Sequence, residues 1–138
     1  MVRFIDNNQW VELPLEAVCR LFVQQDEALF AVAPRIEPIE LEDGTVIDAA
    51  TAKVKLIEIA IQQHLDAVAK AKNYDSIHTA ALRAAYVGPF QAEGQAFATW
   101  MDGCWSAAYA LLADFQAGNI PEPTAAEVIA ALPVLTGV

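Results

Sequence analysis

The chain has few groups with which to do chemistry. Of its 138 residues two are histidine and two are cysteine. No apolar run reaches the ~18–20 residues that a membrane-spanning helix needs, and the scattered glycines build no strand–loop–helix cradle for phosphate. Cations are scarce as well: eight Lys and Arg stand against eighteen Asp and Glu, for a net charge of −10. A surface of that sign repels a phosphate backbone and argues against nucleic acid as a partner. Asp6, Asn7, Asn8 and Gln9 occupy the place of a signal peptide's apolar core, so the expectation is a soluble, unprocessed protein.

The scarce reactive residues are also poorly placed for catalysis. His64 and His78 fall on different predicted helices, and neither sits in an H-E-x-x-H or paired-cysteine spacing. His64 and Asp66 do not share a helix face, because helical neighbours are three or four residues apart. Cys104 with either histidine is formally a nucleophile and base, but nothing sets its sulfur at a helix N-terminus, where its pKa would fall. Cys19 and Cys104 each lie in an apolar helical pattern, where a free thiol packs as a small hydrophobe. A disulfide between them is the lesser alternative, since cytosolic thiols stay reduced. The acidic cluster Glu37, Glu40, Glu42 and Asp43 lacks the calcium-loop pattern; it reads as a charged edge that deters strand-to-strand aggregation. No catalytic residue, metal or cofactor is expected.

What the chain has in quantity is apolar surface. Apolar residues make up 56%, above the usual ~45–50%, and a single domain of this size buries roughly 68% of its unfolded surface. The pattern changes at Asp48. Residues 1–48 hold ten acidic and three basic residues and short segments broken by proline; the remainder is alanine-rich and longer in period. The expected organisation is an acidic α+β portion over residues 1–48 and a helical domain over 49–138, in a chain whose length fits one domain.

In the first portion "VRFI" reads as a strand, and Pro14 opens a helix, as proline suits the first helical turn. "ALFAVA" (28–33) reads as a buried strand. Apolar and acidic residues alternate around Asp43-Gly44, a tight-hairpin signal, with Pro34 and Pro38 confining those strands to an edge or bulge. In the second portion a helix runs from Ala49 to about Lys72, with Asp48 as N-cap. Asn73 ends it, and Asp75 caps a helix from Ser76 to about Tyr86. A third runs from near Phe90 to Ala117, stopped by Gly118 and Pro121. Thr124 and Glu127 form a capping box for a short last helix.

The third helix bears an apolar face wide enough to meet several neighbours or an interface, which leaves self-association open. Gly94 and Gly103, with Ala80, Ala81, Ala84 and Ala85, point to closely packed backbones, since each glycine otherwise costs ~1 kcal/mol in a helix. The predicted class is therefore α+β and mostly α: an antiparallel helical hairpin or bundle with a small β-hairpin-containing N-terminal portion.

Tyr74-Asp75-Ser76-Ile77, followed by Ala80-Ala81, Tyr86, Phe90, Glu93-Gly94, Ala96-Phe97, Trp100, Asp102 and Trp105, resembles a domain of small phage and prophage proteins encoded near tail-fibre genes. In that pattern a helix bearing Lys or Arg leads to a Tyr-Asp-Ser/Asn-Ile turn, and a Trp-Arg-Asp…Trp helix and a Pro-rich exit ending in Leu-Pro follow. Lys70, Lys72, Tyr74 and Asp75 match the turn. Trp100-x-Asp102-x-x-Trp105 matches the core, and Pro121, Pro123 and Leu132-Pro133 match the exit. Met101 departs from it, standing where arginine is usual. The likeness covers about residues 55–135 and leaves residues 1–48 to whatever is particular to this chain.

The resemblance implies a non-enzymatic phage or prophage protein, tail- or tail-fibre-associated, found in the bacterial host cytoplasm or the virion and acting by contact with a tail component. The motif residues also have ordinary structural roles: Asp75 as N-cap, Tyr74 and Trp100 as core, Asp102 bonded to a neighbouring turn. The expected contact surface is Trp10, in its polar surroundings, with Glu37, Glu40 and Glu42. The alternatives are a helical module that holds a small ligand around Phe97, Trp100 and Trp105, and an enzyme in which a histidine converges with Asp75 or Asp102.

Overall fold

The computed structural model describes residues 1–23 and 35–138; the expected strand at 28–33 and Pro34 lie outside the described residues. Two compact units are present, Met1–Ile59 and Ala60–Val138. Among the described residues there are five α-helices and two small antiparallel hairpins, so the chain is of the mostly helical α+β class expected.

The first hairpin rests on two asparagines. β1 (Val2–Asp6) and β2 (Gln9–Leu13) pair antiparallel, with Phe4 opposite Val11 and Ile5 opposite Trp10. Asn7 and Asn8, at φ 49° and 63°, form the connection. A two-residue connection with both residues in the left-handed region matches the right-handed twist of the strands it joins, and asparagine tolerates that conformation. Sequence reasoning found β1 but took "DNNQWVE" as polar surroundings and missed β2. α1 (Leu15–Arg20) follows directly, with Pro14 at its N-cap.

The second hairpin is the one that Asp43-Gly44 announces. β3 (Ile39–Glu40) and β4 (Val46–Ile47) pair with Ile39 opposite Ile47. The Gly44 N–H donates to Leu41 O at 2.9 Å, and Gly44 takes φ +86°, which a side chain would strain. Leu41 bridges Phe4, and the Glu42 N–H donates to Arg3 O at 2.7 Å, so the two hairpins run edge to edge. The inner faces contribute Phe4, Ile39, Leu41 and Ile47 to a core closed by Val18, Cys19 and Phe22 and by Ala52 from the next helix. Each large side chain there contributes roughly 1.5–3 kcal/mol by burial.

α2 (Ala49–Ala71) begins as expected: the Thr51 N–H donates to an Asp48 carboxylate oxygen at 2.8 Å. The sequence pattern changes at Asp48, whereas the packing changes inside this helix, because its first turns belong to the N-terminal core. It ends where Asn73 turns left-handed (φ 68°), with the Tyr74 N–H donating to Ala69 O and the Asn73 N–H to Lys70 O. Those paired bonds satisfy carbonyls that the helix end would otherwise orphan.

α3 (Ile77–Leu82) corrects one expectation. Its N-cap is Ser76, which accepts the Thr79 N–H at 3.2 Å, and not Asp75. Asp66, two turns back on α2, accepts the Ile77 N–H at 2.9 Å and satisfies a second free donor of that helix start. The helix then tightens into a 3-10 turn (Arg83–Ala85) in place of the single helix to Tyr86 that the sequence predicts. α4 (Gln91–Gln116) lies along both of them. At Gly94 the approach is so close that a Cβ would meet the Ala84 amide nitrogen and stand 2.6 Å from the Arg83 carbonyl carbon. Gly103 differs: a Cβ there meets only Pro133, at 3.5 Å. α5 (Ala125–Ala131) opens with the Thr124–Glu127 capping box.

Candidate functional site

Tyr74, Ser76 and Trp100 of the second unit's motif hold structure. The Tyr74 hydroxyl donates to a Glu93 carboxylate oxygen at 3.0 Å, and its ring stands edge-on to Phe97 at 5.6 Å. Burial, then the hydrogen bond to the Glu93 carboxylate, push this phenol's pKa above its usual 10.0. Tyr74 is therefore a half-buried tie between the α2–α3 turn and α4, not the core residue expected. Trp100 is buried as expected, and its indole N–H donates to Pro133 O at 2.7 Å. That bond pins the Leu-Pro exit to α4. His64 meets the indole edge-on at 6.0 Å.

Three expectations for these residues need correction. Asp75 is exposed and caps nothing. Asp102 is exposed and bonds no turn among the described residues. Trp105 is only half-buried, its ring 6.1 Å from Tyr109, because the buried residues of α4 stop at Cys104. Both cysteines are free and buried. Burial pushes the Cys104 thiol up to about 11 and raises that of Cys19 as well, the opposite of what a nucleophile needs. His78 is exposed, and among the described residues no group of three or more His, Cys, Asp or Glu is arranged to hold a metal ion.

An open groove of ≈ 400 Å³ runs beside α4, lined by Gln95, Thr99, Trp100, Gly103, Pro133 and Thr136. Trp100 borders it, but Phe97 and Trp105, expected around a ligand, do not.

The first unit carries the more distinctive surface. Strand alternation sends Phe4, Ile39, Leu41 and Ile47 inward and turns Arg3, Ile5, Trp10, Glu12, Glu40, Glu42 and Val46 outward. Ile5 and Trp10 are directly opposite each other and are 58% and 53% exposed. The Arg3 guanidinium lies over the Trp10 ring, 4.7 Å from its centre, and pairs with Glu42 at 3.3 Å. Glu40 and Glu42 thus share a face with Trp10, and Glu37 is exposed in the segment leading to β3. Ile5 is the member that sequence reasoning missed; only the hairpin register reveals it.

Comparison with protein-family models, with curated proteins and with solved structures yields no match. Among the described residues no helix is long and apolar enough to cross a membrane.

Proposed function

We propose that the chain is a non-enzymatic bacteriophage or prophage protein, tail- or tail-fibre-associated, that acts by protein contact through the outer face of its N-terminal hairpins. One observation carries the contact: an isoleucine and a tryptophan stand exposed side by side on a strand pair whose other face is a filled core. Tryptophan is enriched among the residues that dominate binding energy, and apolar side chains exposed together within a polar rim, rather than scattered singly, favour a contact surface. The phage and tail assignment rests on the Tyr74–Ile77 and Trp100–Trp105 resemblance, of whose residues Tyr74, Ser76 and Trp100 bond within the fold. Tail genes beside this reading frame would support it, and so would a virion or cytoplasmic location in an induced host.

The test is a photo-crosslinking residue at position 10, with position 63 (an exposed glutamine on α2) as control, in an induced lysogen. A crosslink at position 10 to a tail protein identified by mass spectrometry is the expected result. Crosslinks equal at both positions, or to no tail protein, would overturn the reading. The groove beside Trp100 favours a second reading, a small-ligand module; a metabolite that raises the melting temperature and shifts Trp100 resonances would favour it.

A further inference from the structure

We infer that the occupant of the outer face is a cationic protein segment with an apolar anchor, lysine or arginine side chains flanking one large hydrophobe. This rests on the docking reading above and adds the partner's chemistry to it. Ile5 and Trp10 offer the anchor its seat. The indole is already held by Arg3, which Glu42 in turn holds, so little side-chain freedom remains to be lost on binding.

The charge around that seat selects the occupant. Four ionised side chains share the face: Arg3 against Glu12, Glu40 and Glu42. Arg3 and Glu42 answer each other, which leaves Glu12 and Glu40 without an ion-pair partner among the described residues. A neutral apolar partner would cover two carboxylates and give them nothing in return, and burying an unpaired charge is costly. An acidic partner, a second copy of this chain included, would add like-charge repulsion. A cationic segment alone answers both carboxylates while its hydrophobe covers the indole. Beside them an open hollow of ≈ 280 Å³, lined by Arg3, Glu12, Leu41, Glu42 and Asp43 among others, has room for one long basic side chain.

The probe is a short fluorescein-labelled peptide alternating lysine with leucine, titrated into the full-length chain and followed by anisotropy. Controls carry glutamate for lysine or glycine for leucine. Saturable binding of the lysine–leucine peptide alone is expected, with about a thirtyfold loss on Trp10→Ala, as for a dominant contact residue. Glu12→Gln and Glu40→Gln should each weaken it about two- to fivefold, the range of rim charges. Raising salt from about 0.1 M to 1 M should erase the effect of the glutamates but not that of Trp10, since the screening length falls from ~10 Å to ~3 Å. Trp10 is half exposed, so its truncation should leave the fold intact, and Trp10→Phe is the second variant should it not. Trp10-dependent binding of the glutamate–leucine peptide, or Trp10-dependent self-association in sedimentation, would overturn the cationic occupant yet leave protein contact standing. Binding of no peptide, with no crosslink from position 10, would overturn both.

Discussion

Two glycines on one helix should respond to the same substitution with opposite sign. Alanine is favoured over glycine in a helix interior by ~1 kcal/mol, so Gly→Ala should stabilise α4 wherever a methyl group fits. At Gly103 it fits: the new Cβ would meet only Pro133, at 3.5 Å. At Gly94 it would overlap the Ala84 amide and stand 2.6 Å and 2.7 Å from the Arg83 carbonyl carbon and Cβ. Most of those neighbours are backbone, held by their own hydrogen bonds, so α4 and the 3-10 turn must separate. Overpacking of that kind costs typically 1–3 kcal/mol. The upper part of that range applies here, and set against the helical gain it leaves about 1–2 kcal/mol of net destabilisation for Gly94→Ala. Gly103→Ala should gain ~0.5–1 kcal/mol. Urea unfolding followed by far-UV circular dichroism and by tryptophan fluorescence reads both values, the two probes showing whether the units unfold together. Equal signs for the two variants, or stabilisation by Gly94→Ala, would refute the close approach of α4 to the 3-10 turn.

Three further outcomes follow from the second unit and the cysteines. Trp100→Phe keeps most of the ring but leaves the Pro133 carbonyl only the weak Cys104 thiol donor at 3.8 Å, so it should cost ~1–2 kcal/mol and loosen the exit segment, read as faster amide exchange after residue 132. Tyr74 has a folded pKa raised above its unfolded value; its stabilisation is therefore whole below pH 10 and is lost as pH rises through the folded pKa. Tyr74→Phe should flatten the alkaline fall in stability and leave the acid limb unchanged; an unchanged alkaline limb would refute the tie to Glu93. The buried, high-pKa thiols of Cys19 and Cys104 should not react with an aromatic disulfide reagent in the native protein and should both react in denaturant. Rapid native labelling of either would contradict its burial.

The readable parts of the sequence were those in which one residue type performs one local task. Asp48 caps α2, Thr124 and Glu127 cap each other, Asn73 and Gly118 take the left-handed conformation at helix ends, and Gly44 turns the second hairpin. Gly94 was legible as a close approach because a glycine in a good helix pattern needs a reason. What escaped depended on distant partners. Asp75 and Ser76 are neighbouring cap-formers, and the choice between them goes with Asp66, whose carboxylate already serves the Ile77 N–H. Asn7-Asn8 is a weaker hairpin signal than Asn-Gly, so β2 was missed, and Ile5 with it. Helical period placed Trp105 on the apolar face of α4, but period cannot tell how far along a helix its neighbours extend. At the candidate site, Trp10 and the glutamates were legible from composition; their common face required the register.

The contrast between Trp100 and Trp10 decides where a partner has most to gain. Trp100 is 6% exposed, and its N–H is already satisfied by Pro133, so a partner can add little to it. An aromatic side chain can bury ~150–250 Å²; Trp10, with 53% exposed, retains about 100 Å², worth ~2.5 kcal/mol at ~25 cal/mol per Å², and Ile5 adds a comparable share. The last turns of α4 also expose apolar surface at Tyr109 and Phe115, enough for a contact by area alone. Asp114 is the single ionisable acid or base between residues 105 and 116 apart from the Tyr109 phenol, so that stretch has little with which to choose among partners. The hairpin face combines retained apolar area with unanswered charge, and selectivity needs both. The proposed contact with a chosen partner is therefore better placed on the hairpin face than on the last turns of α4.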